Sequence, residues 1–124
     1  MHESGVRIAM GTDIHNVPEM GSAARELELY VAHGMSPLEA IGTATCNAAQ
    51  ALGLGSQLGT IEPGKLADLL AVKGNPADDV RVLQDPANIA LVMKEGRLYV
   101  DRLSADNRGV RHPEPGRWKI LDRE

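Results

Sequence analysis

The 124 residues, 43% hydrophobic and 24% charged, have the composition of one globular domain. A complete (β/α)8 barrel needs on the order of 200 to 250 residues, so at most about half of one fits in this chain. A net charge of -4 removes any general electrostatic drive toward nucleic acid or an anionic membrane.

Val6, Ile8 and Met10 alternate with Arg7 and Ala9 and run into Gly11, which predicts a short strand over residues 6–10. A loop follows. Ala23, Ala24, Leu27, Tyr30, Val31 and Gly34 then recur at helical spacing. Ser36-Pro37-Leu38-Glu39 predicts a second helix start: Ser36 accepts from the amide of Glu39, Pro37 has no amide to orphan, and Glu39 reaches back to the cap. That helix is expected to continue to about Leu52 with Leu38, Ile41, Thr45, Ala48 and Ala49 on one face, and Gly53 stops it. Residues 67–72 form a compact apolar run bounded by Gly64 and Gly74-Asn75-Pro76, and read as a strand. One helical turn is expected over 78–84, and residues 89–94 and 97–100 flank a tight hairpin at Glu95-Gly96. Residues 102–124 read as an irregular tail.

No run of eighteen apolar residues offers a membrane span, and Met1-His2-Glu3-Ser4-Gly5 lacks a signal-peptide pattern, so a cytoplasmic setting is expected. One cysteine, Cys46, excludes an internal disulfide and a cysteine-based zinc site. Tyr30, Tyr99 and Trp118 are the only aromatics, too few for a single-strand stacking platform.

Two glycine patterns invite a nucleotide reading and fail on context. Gly59-Thr60-Ile61-Glu62-Pro63-Gly64-Lys65 begins like a P-loop, but Leu66 stands where a hydroxyl must meet magnesium and a strand follows where a helix is required. Gly53 and Gly55 follow a helix, whereas the dinucleotide fingerprint follows a strand. Asp13 is the more informative residue, because catalytic groups gather just past the C-terminal ends of strands in parallel α/β folds. On position alone, a turn or capping aspartate is the favoured reading, because aspartate is common in turns. His15 is a candidate for substrate contact or for orienting a neighbouring group, against the plain reading of a solvated loop histidine. His2, His33 and His112 show no ligand spacing, and Cys46 reads as an inert thiol.

In order, Gly5-Val-Arg-Ile-Ala-Met-Gly-Thr-Asp13, Ala24-Arg-Glu-Leu-Glu28, Gly34-Met-Ser-Pro-Leu-Glu-Ala40, Ala44-Thr-Cys-Asn-Ala-Ala-Gln-Ala-Leu-Gly53, Leu58-Gly-Thr-Ile-Glu-Pro-Gly-Lys-Leu-Ala-Asp-Leu69 and Val92-Met-Lys-Glu-Gly-Arg-Leu-Tyr-Val100 resemble the C-terminal portion of a metal-dependent amidohydrolase, nearest the imidazolonepropionase-like and prolidase-like branch. The resemblance covers about residues 1–101. It implies an α/β fold in which residues 1–56 are the last strand and helices of a TIM-type barrel, 57–101 are strands of a small β-sandwich (a composite domain), and the whole is incomplete as a stand-alone barrel. It implies that Asp13 binds a metal and carries a proton while metal-activated water hydrolyses a carbon–nitrogen bond, and that Asp68 has a structural role.

The family's histidine ligands on earlier strands have no counterpart here. A divalent metal, zinc first among the candidates, is therefore expected only in the complete enzyme, and this chain alone is expected to be inactive and not to retain it. Expected partners are a small amide or dipeptide substrate, the remaining barrel sequence or a complementary chain, and a second copy of the chain, with no nucleic acid and no membrane. The competing expectations are a subunit of a split enzyme and a non-catalytic β-rich interaction module.

Overall fold

The computed structural model describes residues 4–13 and 21–103; His15 and the tail from residue 104 lie outside them. Three helices come first: α1 (Arg25–Ala32), α2 (Pro37–Ala44) and α3 (Cys46–Ala51). A three-stranded antiparallel sheet follows, β1 (Leu69–Val72), β2 (Ile89–Lys94) and β3 (Arg97–Asp101), ordered β1-β2-β3. Two short 3-10 helices, Val80–Gln84 and Pro86–Asn88, bridge β1 and β2.

The start of α2 forms as its four-residue motif dictates. Ser36 Oγ accepts the Glu39 amide at 3.3 Å while the Glu39 carboxylate accepts the Ser36 amide at 2.8 Å, so two otherwise orphaned donors are satisfied reciprocally. Gly34, at φ 103°, takes the left-handed conformation that lets the chain turn from α1 into this cap.

The main core lies in the helical half. Leu27, Met35, Ala40 and Val80 are buried together, and Ile8, Met10, Tyr30, Val31, Ile41, Ala44 and Leu83 pack against them. The expected alternation is real in burial over residues 7–10, with Ile8 and Met10 inward and Arg7 and Ala9 exposed, but Val6 is 53% exposed and does not join that face. The expected strand itself is corrected: residues 6–10 join no ladder among the described residues. A strand is completed by a neighbouring strand, and this segment is bonded to helices instead.

The single helix expected over residues 36–52 is also corrected, because it breaks at Thr45 (φ -121°, ψ -98°) into α2 and α3. Helix ends leave carbonyls without an internal partner. Here the Ile41 carbonyl accepts from the Thr45 hydroxyl at 2.9 Å, Gly42 from the Thr45 amide at 3.3 Å and Thr43 from the Met10 amide at 2.9 Å. Threonine hydroxyls that bond back to the preceding turn bend helices, and the distant Met10 amide supplies the partner that makes the break affordable.

After α3 the chain folds back over it. Gly59, at φ 93°, lies so close to α3 that a Cβ there would stand 2.7 Å from Ala49 Cβ and 2.9 Å from Cys46 Cα. In the same loop the Lys65 ammonium bonds Thr60 Oγ1 and Glu62, and the Thr60 hydroxyl followed by the Lys65 charge hold the Glu62 carboxyl below the usual carboxylate range. Lys65 is thus tied into its own turn and is not presented to a phosphate.

The hairpin forms where Glu95-Gly96 marked it. Glu95 (φ 50°) and Gly96 (φ 75°) supply the two left-handed residues of a tight turn, and Asp68 fixes that turn from outside. Its carboxylate accepts the Glu95 amide at 2.7 Å, and the Ala67 carbonyl accepts the Gly96 amide at 3.1 Å. The aspartate at the entry to β1 therefore has a definite structural task, that of pinning the β2–β3 turn against the start of the sheet.

Candidate functional site

Asp13 stands three residues past Met10, and the route from the core to its carboxylate is short. Ile8 and Met10 are held by apolar contact with the α1–α2 core, the Met10 amide by the Thr43 carbonyl, and the Ile8 carbonyl by the side-chain amide of Asn47, which donates to it at 3.0 Å. Arg7 donates to the Gln50 side chain on α3 as a third, exposed contact. The segment leading to Asp13 is fixed on one side by two helices.

Asp13 itself is exposed and has φ 47°. Left-handed conformations are uncommon outside glycine, and aspartate and asparagine are the residues that adopt them at least cost. Such residues cluster at functional sites, because the surrounding structure must hold them there. A turn aspartate and a catalytic one both satisfy this geometry.

A cavity of about 230 Å³ lies beside the same segment, lined by Arg7, Ile8, Ala9, Asn47, Gln50 and Ala51. Asp13 is not part of its wall. Among the described residues no three His, Cys, Asp or Glu side chains gather as a metal-binding group. Asp13 brings one carboxylate, and one carboxylate is not a donor set for a divalent ion, which takes at least three protein ligands in a zinc enzyme. The described residues therefore do not fit a metal by themselves.

Cys46 is half-buried in α3, its thiol within 3.6 Å of the Gly42 carbonyl. His33 closes α1 through a 2.7 Å contact of Nδ1 with the Leu29 carbonyl. Thr43 and Asn47 were not legible as site-building residues in the sequence. The available signal was the cluster Thr43, Thr45 and Asn47, three weak helix formers inside an expected helix, whose side chains compete for backbone partners.

Among proteins of known identity, an ochratoxinase of Aspergillus niger is 40% identical over 99 residues, covering 78% of this chain and 20% of that enzyme. An imidazolonepropionase of Symbiobacterium thermophilum is 35% identical over 104 residues, covering 82% of this chain and 24% of its own length. The crystal structure of a Xaa-Pro dipeptidase with methionine bound in its active site superposes with a TM-score of 0.73 at 45% identity, over 80% of this chain and 23% of that one. The chain thus spans a quarter or less of the length of each of these relatives. Residues 1–99 match the amidohydrolase family as a whole, and the chain belongs to that family.

Proposed function

We propose that the chain is the C-terminal part of a metal-dependent hydrolase of carbon–nitrogen bonds, and that Asp13 is the catalytic residue and metal ligand it contributes. The observation that carries this reading is the family match over residues 1–99, a stretch that includes Asp13 and the segment holding it. In this reading residues 1–56 supply the last-strand segment and helices of a (β/α)8 barrel, the segment forming its ladder only with a neighbouring strand from outside these 124 residues; 57–101 belong to a composite β-sandwich, and 102–124 form an irregular tail. A barrel places its reacting groups beyond the C-terminal ends of its strands, where Asp13 would then stand.

Its carboxylate accepts a proton from the attacking water and hands it to the leaving amine, which is general acid–base work for one group in two protonation states. A divalent ion, held by Asp13 together with ligands from outside these residues, would supply electrophilic activation of the carbonyl and acidification of water, with zinc the first candidate. Its other ligands come from sequence outside these 124 residues. His15 is assigned to substrate contact or to orienting a ligand. The Xaa-Pro dipeptidase among the similar structures favours a dipeptide, with N-acyl amino acids and cyclic amides as the other substrate classes.

Exposed apolar side chains support a second arrangement of the same chemistry, in which a separate chain completes the site. Ile61 is 88% exposed, Leu70 54% and Leu98 51%, apolar side chains of the loop and sheet that such a chain would cover. A second copy of the chain is a further candidate cover for this surface. The sheet as a free-standing interaction module is less favoured, because the main buried cluster lies among the helices. No described helix is long and apolar enough to cross a membrane. A cytoplasmic setting is part of this proposal, supported by the single free thiol.

The test is an assay of the purified 124-residue chain against an N-acetyl amino acid, an Xaa-Pro dipeptide and a cyclic amide with added zinc or manganese, alone and after joining to a family barrel segment that supplies the other ligands. The chain alone is expected to be silent and the completed protein active. Metal-dependent hydrolysis by the chain alone would overturn the need for outside ligands.

A further inference from the structure

The site reading leaves Asn47 and the break at Thr45 without a role, yet both act on the segment that carries Asp13. Asn47 donates to the Ile8 carbonyl and Thr43, freed at the end of α2, accepts from the Met10 amide. These bonds grip two residues spaced two apart, whose side chains also share the inward face. A slip of one residue would bring exposed Arg7 and Ala9, or Ala9 and Gly11, to the two gripped positions in place of Ile8 and Met10 and carry Asp13 with them. The grip therefore fixes register as well as position.

We propose that Asn47 is a positioning residue for Asp13, acting with the Thr43 carbonyl as a two-point clamp on residues 8–10. The proposal rests on the hydrolytic reading only for its consequence in turnover; the clamp itself is a property of this chain. A displacement of about 1 Å in a reacting group is enough to lower turnover about a hundredfold, so a single side-chain amide at this distance can matter to rate.

Asn47→Asp is the informative variant. It keeps the side chain's shape, removes its N–H donors and sets an oxygen against the Ile8 carbonyl. It also places a negative charge in the first turn of α3, where the helix dipole favours it. A role confined to helix stability therefore predicts no loss from this change. The clamp predicts about tenfold faster hydrogen exchange at the Met10 amide, because loss of the Asn47 bond to Ile8 loosens the neighbouring bond from Met10 to Thr43, with the Ala40 amide inside α2 unchanged. It further predicts a shift of the Asp13 carboxyl carbon resonance in the 124-residue chain, and a fall in kcat with KM held in the completed enzyme. Asn47→Ala, which removes the donor without adding charge, is read in the same way should the first variant not fold.

Unchanged Met10 exchange and an unmoved Asp13 resonance in a folded variant would overturn the clamp. Failure of the hydrolytic reading looks different: turnover of the completed enzyme would survive Asp13→Asn, while Met10 exchange would still respond to Asn47→Asp.

Discussion

Replacing Asp13 by asparagine is expected to lower turnover of the completed enzyme about a thousandfold, the range spanned by loss of a general acid–base group. The substitution is chosen for its backbone as much as for its chemistry. Asp13 sits at φ 47°, and asparagine accepts that conformation as readily as aspartate does, so the substitution adds no backbone strain. What disappears is the negative oxygen that can take a proton. Steady-state kinetics with the active substrate, together with unchanged thermal unfolding of the variant, isolates that loss. Near wild-type turnover would assign Asp13 to the turn alone.

Gly59→Ala is expected to be the most damaging added methyl group among the described glycines. Two costs add at this position. The left-handed backbone at φ 93° costs any side chain about 1 kcal/mol, and the new Cβ at 2.7 Å from Ala49 Cβ forces apart a loop and a helix at a further cost of about 1–3 kcal/mol. A total of about 3 kcal/mol is a large share of the about 5–15 kcal/mol that holds a typical domain together. Gly64→Ala separates the two terms, since Gly64 has φ 90° but nothing within 4 Å of its Cβ position. Urea unfolding should show a loss of about 1 kcal/mol for Gly64→Ala and about three times that for Gly59→Ala, with unchanged slopes. Equal losses at the two positions would mean that the contact of Gly59 with α3 is unimportant.

The parts of this fold legible in the sequence are those decided by near neighbours. The capping box of Ser36 and Glu39 needs only residues three apart, and the Glu95-Gly96 turn needs only two residues able to take positive φ. The alternation of Ile8 and Met10 likewise reports burial directly. The break at Thr45 was not legible, because it depends on a carbonyl finding its partner in Met10, far upstream in the chain. Nor was the bond from Asn47 to Ile8, since an asparagine in an expected helix reads first as a weak helix former. Asp13 could be singled out as an exposed carboxylate past an apolar segment. Its left-handed backbone, and the helices that hold the residues before it, belong to the three-dimensional structure alone.

The most direct measurement of the central assignment is the metal–ligand distance in the completed enzyme, by crystallography at the metal's absorption edge. An Asp13 carboxylate oxygen is predicted at about 2.0–2.2 Å from the ion if zinc is bound. A fully occupied metal whose ligands all come from elsewhere, with the Asp13 carboxylate out of reach, would contradict the assignment.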